Sequence, residues 1–279
     1  MSILQQPGAS PQVILFDWHA TLVDTHDAMY HAVGDVLPRL HELGLFERLL
    51  PAEQSKTLED AKLLKYVREH GALHPRVVAE RRISRTDIFE LLFGSDEEAK
   101  HLAHAAFDDN YRKYVSEVHA LEVDAAGQLA ALRELGITLG VISNRKQEYL
   151  EHELELVDAG RWRDLFSLVV SGSEVPKRKP APDVILHALA QLGMVPDASC
   201  WYVGDSTTDV IAACEAGVTS VFYNGVGWDQ AWLDKIFPNT PRHPHFPDAV
   251  VADLGELLAL VRLSKAQQLR VERARSGME

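Results

Sequence analysis

The sequence predicts an α/β fold, a doubly wound parallel sheet with an all-helical domain inserted after its first strand. Three observations predict it. The run Val13-Ile14-Leu15-Phe16, ending at Asp17, is short and apolar, as a strand buried on both faces requires. From about Thr25 to Val118, roughly ninety residues, helical periodicity dominates and strand candidates are few. Beyond that stretch, strand and helix patterns alternate, which builds a parallel sheet covered by helices on both faces.

The inserted stretch shows its period at Val33, Leu37, Leu40 and Leu43, then at Leu58, Leu63, Leu64 and Val67. It is long enough to form a small domain, so the expected division is a core of residues 1–24 and 119–279 around a helical unit of 25–118. In the core, a helix near Ala125–Leu135 leads to a strand at Ile137–Ile142, and a second helix follows Asn144. Leu168-Val169-Val170 reads as a strand. A helix from about Pro182 to Leu192 precedes a strand at Ser199–Val203, another helix begins near Thr207, and Val218–Tyr223 and Ala249–Val251 complete the strands. Trp228–Asp248, with Pro238, Pro241, Pro244 and Pro247, reads as a shaped loop. The tail after Leu263 carries Lys265, Arg270, Arg273 and Arg275 on a helical pattern, expected to be an exposed helix end with cations near its C-terminus.

Composition narrows the function classes. Hydrophobic residues make up 46% and charged residues 25% of the 279, which excludes a disordered or fibrous chain. A net charge of −13 leaves no broad basic surface for nucleic acid, although a small anion needs only a local positive site. Cys200 and Cys214 are too few for a disulfide framework or a cysteine-ligated zinc. No apolar run reaches membrane-spanning length, and Met1–Gln12 lacks the pattern of a secretion signal, so a cytoplasmic protein is expected. Oligomeric state has no signature.

Sites in open α/β sheets lie beyond the carboxyl ends of the strands. There the sequence puts Asp17, Ser143-Asn144 and Asp205, with Lys179 ahead of the helix that contains Leu186. Asp17 and Asp205 suit a hard cation such as Mg²⁺, which takes carboxylate and water oxygens together with substrate phosphate. Ser143 suits a phosphoryl oxygen, and Lys179 suits both a carboxylate and a phosphate. Singly, each residue reads as a turn, a helix cap or an exposed lysine. Their order and spacing together are much harder to dismiss.

These residues resemble the haloacid dehalogenase superfamily. Its Asp-x-Asp-x-Thr motif is matched by Asp17-Trp18-His19-Ala20-Thr21, followed by Leu22-Val23-Asp24. The second motif is matched by Gly140-Val141-Ile142-Ser143-Asn144, and the third by Lys179-Pro180-Ala181-Pro182-Asp183. The fourth is matched by Gly204-Asp205-Ser206-Thr207-Thr208-Asp209. The resemblance covers about residues 12–24 and 119–255, and it implies a Rossmann-like core with a C1-type helical cap. It further implies an Mg²⁺-dependent phosphatase for a small phosphorylated metabolite, with Asp17 as the nucleophile of an aspartyl-phosphate. Asp17, the His19 carbonyl and Asp205 would hold the metal, with Asp209 bound directly or through water. Thr21, Ser143 and Asn144 would meet the substrate, and Lys179 would orient Asp17. Lys177 is the rival of Lys179, disfavoured by the Lys-Pro-x-Pro-Asp context.

The family's phosphatases have Asp where this chain has His19. Either His19 replaces that Asp as general acid/base, or its side chain is a spectator and only its carbonyl serves. Mg²⁺ and Lys179 nearby disfavour the imidazolium, which makes His19 a better base than acid. Phosphonoacetaldehyde hydrolases of the family also lack this Asp and have Trp beside the nucleophile, as Trp18 stands here. They use a cap lysine as an imine former, for which Lys56, Lys62 and Lys65 are candidates. A third reading is a phosphate-binding scaffold weakened by His19. His101 with His104, and His243 with His245, are expected to be solvated or structural, without carboxylate partners. Asp24 and His26 lie where the family has its hairpin to the cap, and Trp228, Trp232 and His245 lie on a loop that could reach the rim.

Overall fold

A computed structural model describes residues 7–55, 57–80, 83, 85–241 and 243–276. In chain order, β1 (Val13–Asp17) is followed by the two-residue β2 (Val23–Asp24). Five helices come next: α1 (His26–Val36), α2 (Leu58–His70), α3 (Pro75–Glu80), α4 (Arg85–Phe93) and α5 (Glu97–Tyr111). The chain then runs through β3 (His119–Ala120), α6 (Ala125–Glu134), β4 (Thr138–Ser143), α7 (Gln147–Leu156) and β5 (Leu168–Ser171). It ends with α8 (Asp183–Gln191), β6 (Cys200–Gly204), α9 (Thr207–Ala216), β7 (Thr219–Tyr223), α10 (Gln230–Ile236), β8 (Ala249–Val251) and α11 (Leu254–Ser276).

Six strands form one parallel sheet in the order β5-β4-β1-β6-β7-β8. β1 is buried along its whole length, and its register pairs Leu15 with Gly140 on one side and Tyr202 on the other. Successive residues face opposite sides of a strand. Val13 and Leu15 therefore share one layer with Val184, Ile185, Ala188, Leu189, Ala212 and Ala213 of α8 and α9. Because β4 and β6 flank β1, the carboxyl end of β1 is the switch point of the sheet, where such folds open a crevice.

The chain divides into two compact units, Met1–Asp24 with His119–Glu279, and Thr25–Val118. The second is helical and has its own core, in which Val33, Leu64, Val67, Phe89, Phe93, Phe107 and Tyr111 are buried. Its α2 opens with a reciprocal Thr57–Asp60 capping box and closes on Gly71 at φ +59°, a left-handed cap that suits glycine.

One expectation changes, and one pairing is added. The 228–248 segment is not loop throughout: Asp229 caps the Trp232 N–H and starts the seven-residue α10, which Pro238 follows. β2 and β3 form a small antiparallel pair, Val23 opposite Ala120 and Asp24 opposite His119, which two-residue segments do not announce. Along α11, Arg270 and Arg273 are exposed and Lys265 is half-buried, while the side chain of Arg275 lies outside those described.

Candidate active site

Three neighbouring strands of the core end together. Asp17 closes β1, Ser143 closes β4, and Asp205 follows Gly204 at the end of β6. Beyond β1 the backbone turns sharply. The Leu22 and Val23 N–H groups both donate to the Trp18 carbonyl at 3.0 Å, and Ala20 sits at φ +60°. For a residue with a Cβ that left-handed conformation costs roughly 1–2 kcal/mol, so the turn is held by its surroundings.

Lys179 is the hub of the site, and its side chain is almost fully buried. Its Nζ donates to Asp17 Oδ1 at 2.5 Å, to Asp209 Oδ1 at 2.7 Å and to the Tyr202 hydroxyl at 2.9 Å. Asn144 clamps the lysine backbone at two points, accepting its N–H at 3.0 Å and donating Nδ2 to its carbonyl at 3.1 Å. Asn144, expected to meet the substrate, thus uses one donor and one acceptor of its amide to hold the Lys179 backbone. Lys177, the rival lysine, is exposed.

Asp209 is likewise occupied. Its Oδ2 completes a capping box with Ser206 at the start of α9, accepting the Ser206 N–H at 3.1 Å and hydroxyl at 2.5 Å. Its Oδ1 accepts Lys179 and, at 3.0 Å, Tyr202. Those four contacts fill the usual capacity of a carboxylate. The capping box requires close approach to the strand end: a Cβ on Gly204 would fall 2.4 Å from the Asp209 carboxyl carbon. Thr21 is buried and donates to Asp205 Oδ1 at 3.4 Å.

The electrostatics follow from three carboxylates around one ammonium. Burial pushes Asp17 up to about 6, with Lys179 opposing and Asp209 reinforcing that rise. Burial, then Asp209 and Asp17, drive Asp205 well above the carboxylate range. Burial pulls Lys179 down, but Asp17 and Asp209 override it and hold the ammonium above its ordinary value. Tyr202 is raised by burial and by the same two carboxylates, so its hydroxyl stays a donor. Among the described residues, Asp17, Asp205 and Asp209 form a group whose potential metal-ligating oxygens all lie within 4.8 Å of one another. One ammonium leaves that group net negative, and the donor set is all oxygen, so it fits a hard divalent cation.

His19 stands in surroundings that the sequence did not announce. Its Nε2 lies 2.9 Å from Glu153 Oε2 on α7 and 2.9 Å from Arg145 Nε. Its Nδ1 lies 3.5 Å from Ser143 Oγ. Glu153, fully buried, also accepts the Trp18 indole N–H at 2.7 Å. Burial, Arg145 and Lys179 pull His19 down to about 4, against the opposing pull of Glu153. The expected causes were the metal and Lys179, whereas burial and Arg145 dominate the shift here, ahead of Lys179. Glu153, Arg145 and Tyr202 were missed as site residues. Glu153 did carry a signal, an acid among Tyr149, Leu150 and Leu154 on the apolar stripe of α7.

Elsewhere, Lys62 and Lys65 are exposed on α2 and pair with Glu59 and Glu69, while Lys56 lies outside the described residues. His101 and His104 line a cavity of about 610 Å³ with Glu90, Glu97, Glu98 and Lys100. His245, expected to lack an acidic partner, has one in Glu215 at 2.7 Å.

Comparison with known proteins supplies a context. A family model described as haloacid dehalogenase-like hydrolase matches residues 76–223. Over 125 residues the chain is 34% identical to phosphoglycolate phosphatase of Salmonella typhimurium, covering 45% of this chain and 48% of that protein. The match to phosphoglycolate phosphatase of Escherichia coli strain K12 has the same extent at 33% identity. The chain thus spans about half the length of the curated relatives it matches. A Bacteroides fragilis structure classed as a haloacid dehalogenase-like hydrolase superposes with a TM-score of 0.60 at 22% identity, covering 88% of this chain and 99% of that one. The HAD phosphatase from Thermococcus onnurineus gives 0.56 at 21%, covering 90% and 97%. At such identities the likeness concerns the fold.

Proposed function

We propose, from the premise that the chain belongs to the haloacid dehalogenase-like hydrolase family, whose model matches more than half of its length, that it removes phosphate from a small phosphorylated metabolite. The single observation that carries this reading is the buried Lys179 bridging Asp17 and Asp209 at the sheet's switch point. A nucleophilic carboxylate must be anionic when it meets an anionic phosphate. Lys179 opposes the burial that would otherwise protonate Asp17, and it offsets repulsion between the two anions.

In this reading, an Asp17 oxygen attacks phosphorus, the ester P–O bond breaks, and the pair leaves with the alcohol oxygen. Water then attacks the aspartyl-phosphate, phosphate departs, and the Asp17 carboxylate is restored. Asp17, the His19 carbonyl and Asp205 would hold Mg²⁺, with Asp209 acting through water because its lone pairs are already engaged. When bound, that cation supplies positive charge beside the transferring group. Ser143, which lies beside His19 Nδ1 in the free protein, is the hydroxyl that turns to a phosphoryl oxygen when substrate binds. His19, held neutral, accepts the proton of the attacking water. Held neutral, it carries no acidic proton to give, which favours substrates whose leaving group needs little protonation.

Phosphate release from a panel of small phosphate esters, with and without Mg²⁺, tests the reading. Phosphoglycolate is the first compound to try because the relatives are named for it. Turnover that needs Mg²⁺ and falls at least 1,000-fold in Asp17→Asn is expected, a loss on the order of that for removing a covalent nucleophile. Release unchanged by Asp17→Asn rules out the assigned nucleophile.

A further inference from the structure

We propose that Glu153 is a positioning residue that selects the Nε2–H tautomer of His19, so that the Nδ1 lone pair faces Ser143. The inference rests on the reading of His19 as the proton acceptor and identifies what prepares it for that task.

Two groups compete for one nitrogen. Glu153 Oε2 and Arg145 Nε both lie 2.9 Å from His19 Nε2. A carboxylate only accepts, so Glu153 requires a proton on Nε2, whereas a guanidinium only donates and requires a lone pair there. Nε2 of a neutral ring satisfies one demand or the other. Three observations favour Glu153. Its side chain is fully buried, so a lone pair set against it would put two acceptors face to face out of reach of water. The Trp18 indole, a donor in every state, bonds to the same Oε2 at 2.7 Å and holds that oxygen in place. The other ring nitrogen agrees as well. Before substrate binds, Ser143 Oγ accepts the Arg145 backbone N–H at 3.2 Å and its own proton is free to turn toward Nδ1 at 3.5 Å. A hydroxyl proton aimed at Nδ1 needs a lone pair there, which is the Nε2–H tautomer again.

The consequence is directional. The attacking water gives its proton to Nδ1, its oxygen bonds to phosphorus, and the Asp17 oxygen leaves with the bonding pair. The imidazolium so formed keeps Nε2–H on Glu153. A carboxylate on α7 thus equips a histidine to stand where the family has aspartate.

The test reads the tautomer directly, by ¹⁵N–¹H correlation spectra of protein labelled at histidine, with the His19 signals assigned by their loss in His19→Gln. The wild-type protein should show His19 as the Nε2–H tautomer. Glu153→Leu should move it to Nδ1–H, since Arg145 becomes the partner left at Nε2, whereas Arg145→Met should leave Nε2–H in place. An Nδ1–H ring in the wild type, a tautomer unmoved by Glu153→Leu, or one switched by Arg145→Met overturns the proposal. The wild-type spectrum decides the matter even if Glu153→Leu does not fold, and it needs no substrate. Its result is therefore separate from success or failure of the phosphatase reading. With a turned-over ester in hand, Glu153→Gln should lower kcat at least tenfold with KM within twofold. An unchanged kcat also counts against the proposal.

Discussion

Lys179 Nζ stands 2.5 Å from Asp17 Oδ1, with both side chains almost entirely out of solvent. The ammonium is the only cation bonded to the Asp17 and Asp209 carboxylates among the contacts described, so its loss is felt by both. Lys179→Met should lower activity on the order of 100-fold or more, the scale of removing a preorganised charge. It should also destabilise the metal-free fold by about 3–5 kcal/mol at pH 8, because two buried carboxylates lose their partner. Acid relieves that repulsion by protonating Asp17, so the deficit should shrink at pH 5. Urea unfolding at the two pH values checks this, and a deficit independent of pH contradicts it.

Ser206 and Asp209 cap α9 reciprocally, while the far oxygen of Asp209 holds Lys179 and Tyr202. Helix start and candidate site thus share one carboxylate. Ser206→Ala should cost about 1 kcal/mol of stability, the usual worth of an N-cap side chain. It should also weaken activity, because Asp209 loses one of its anchors. Thermal unfolding alongside turnover checks the coupling, and a stability loss with full activity would separate the two roles.

The four motifs were legible because they stand in the order and spacing of a known family, each a short local pattern at a strand end or helix start. Asp17 follows a run that is apolar on both faces, and Asp209 stands three residues after Ser206, the spacing of a capping box. The surroundings of His19 were not legible in the same way. Its contact with Glu153 joins positions 134 apart, and no local pattern says which helix packs behind a given turn. The acid on the apolar stripe of α7 shows that Glu153 needs a buried partner without naming it. Asn144 was legible as a residue at the rim, but its clamp on Lys179 was not, since only the tertiary fold puts the Lys179 backbone beside its amide.

The depressed His19 gives the metal-free protein a signed dependence on acid. The unfolded chain takes up a proton near the ordinary 6.5, while the folded chain refuses it until about 4. The folded state therefore binds fewer protons between those values, and stability from this group is present above pH 6.5 and lost as pH falls toward 4. Asp17, raised to about 6, has the opposite sign and offsets part of the loss below pH 6. The clean readout is the difference between wild type and His19→Gln. Denaturation in a chelator should show the wild type losing about 3 kcal/mol relative to the variant from pH 7 to pH 4. A flat difference means that His19 titrates normally.

Glu153 and residue 19 provide a prediction whose sign reverses with background. In the wild type, Glu153 meets the Nε2 side of an imidazole, and Glu153→Gln removes a charge-assisted bond. In a His19→Asp background the same carboxylate faces another carboxylate in a buried setting. His19→Asp alone, although it restores the family's usual residue, should therefore destabilise the protein by about 2–4 kcal/mol through a buried like-charge contact. Adding Glu153→Gln should return at least half of that stability, because an amide can donate to the new carboxylate where Glu153 could only repel it. Turnover should follow the same order, with Glu153→Gln harmful beside His19 and helpful in the His19→Asp background. Urea midpoints and kcat for the four proteins of this cycle measure the coupling. Additive effects, with Glu153→Gln costing the same in both backgrounds, would show that Glu153 supports the fold without acting through residue 19.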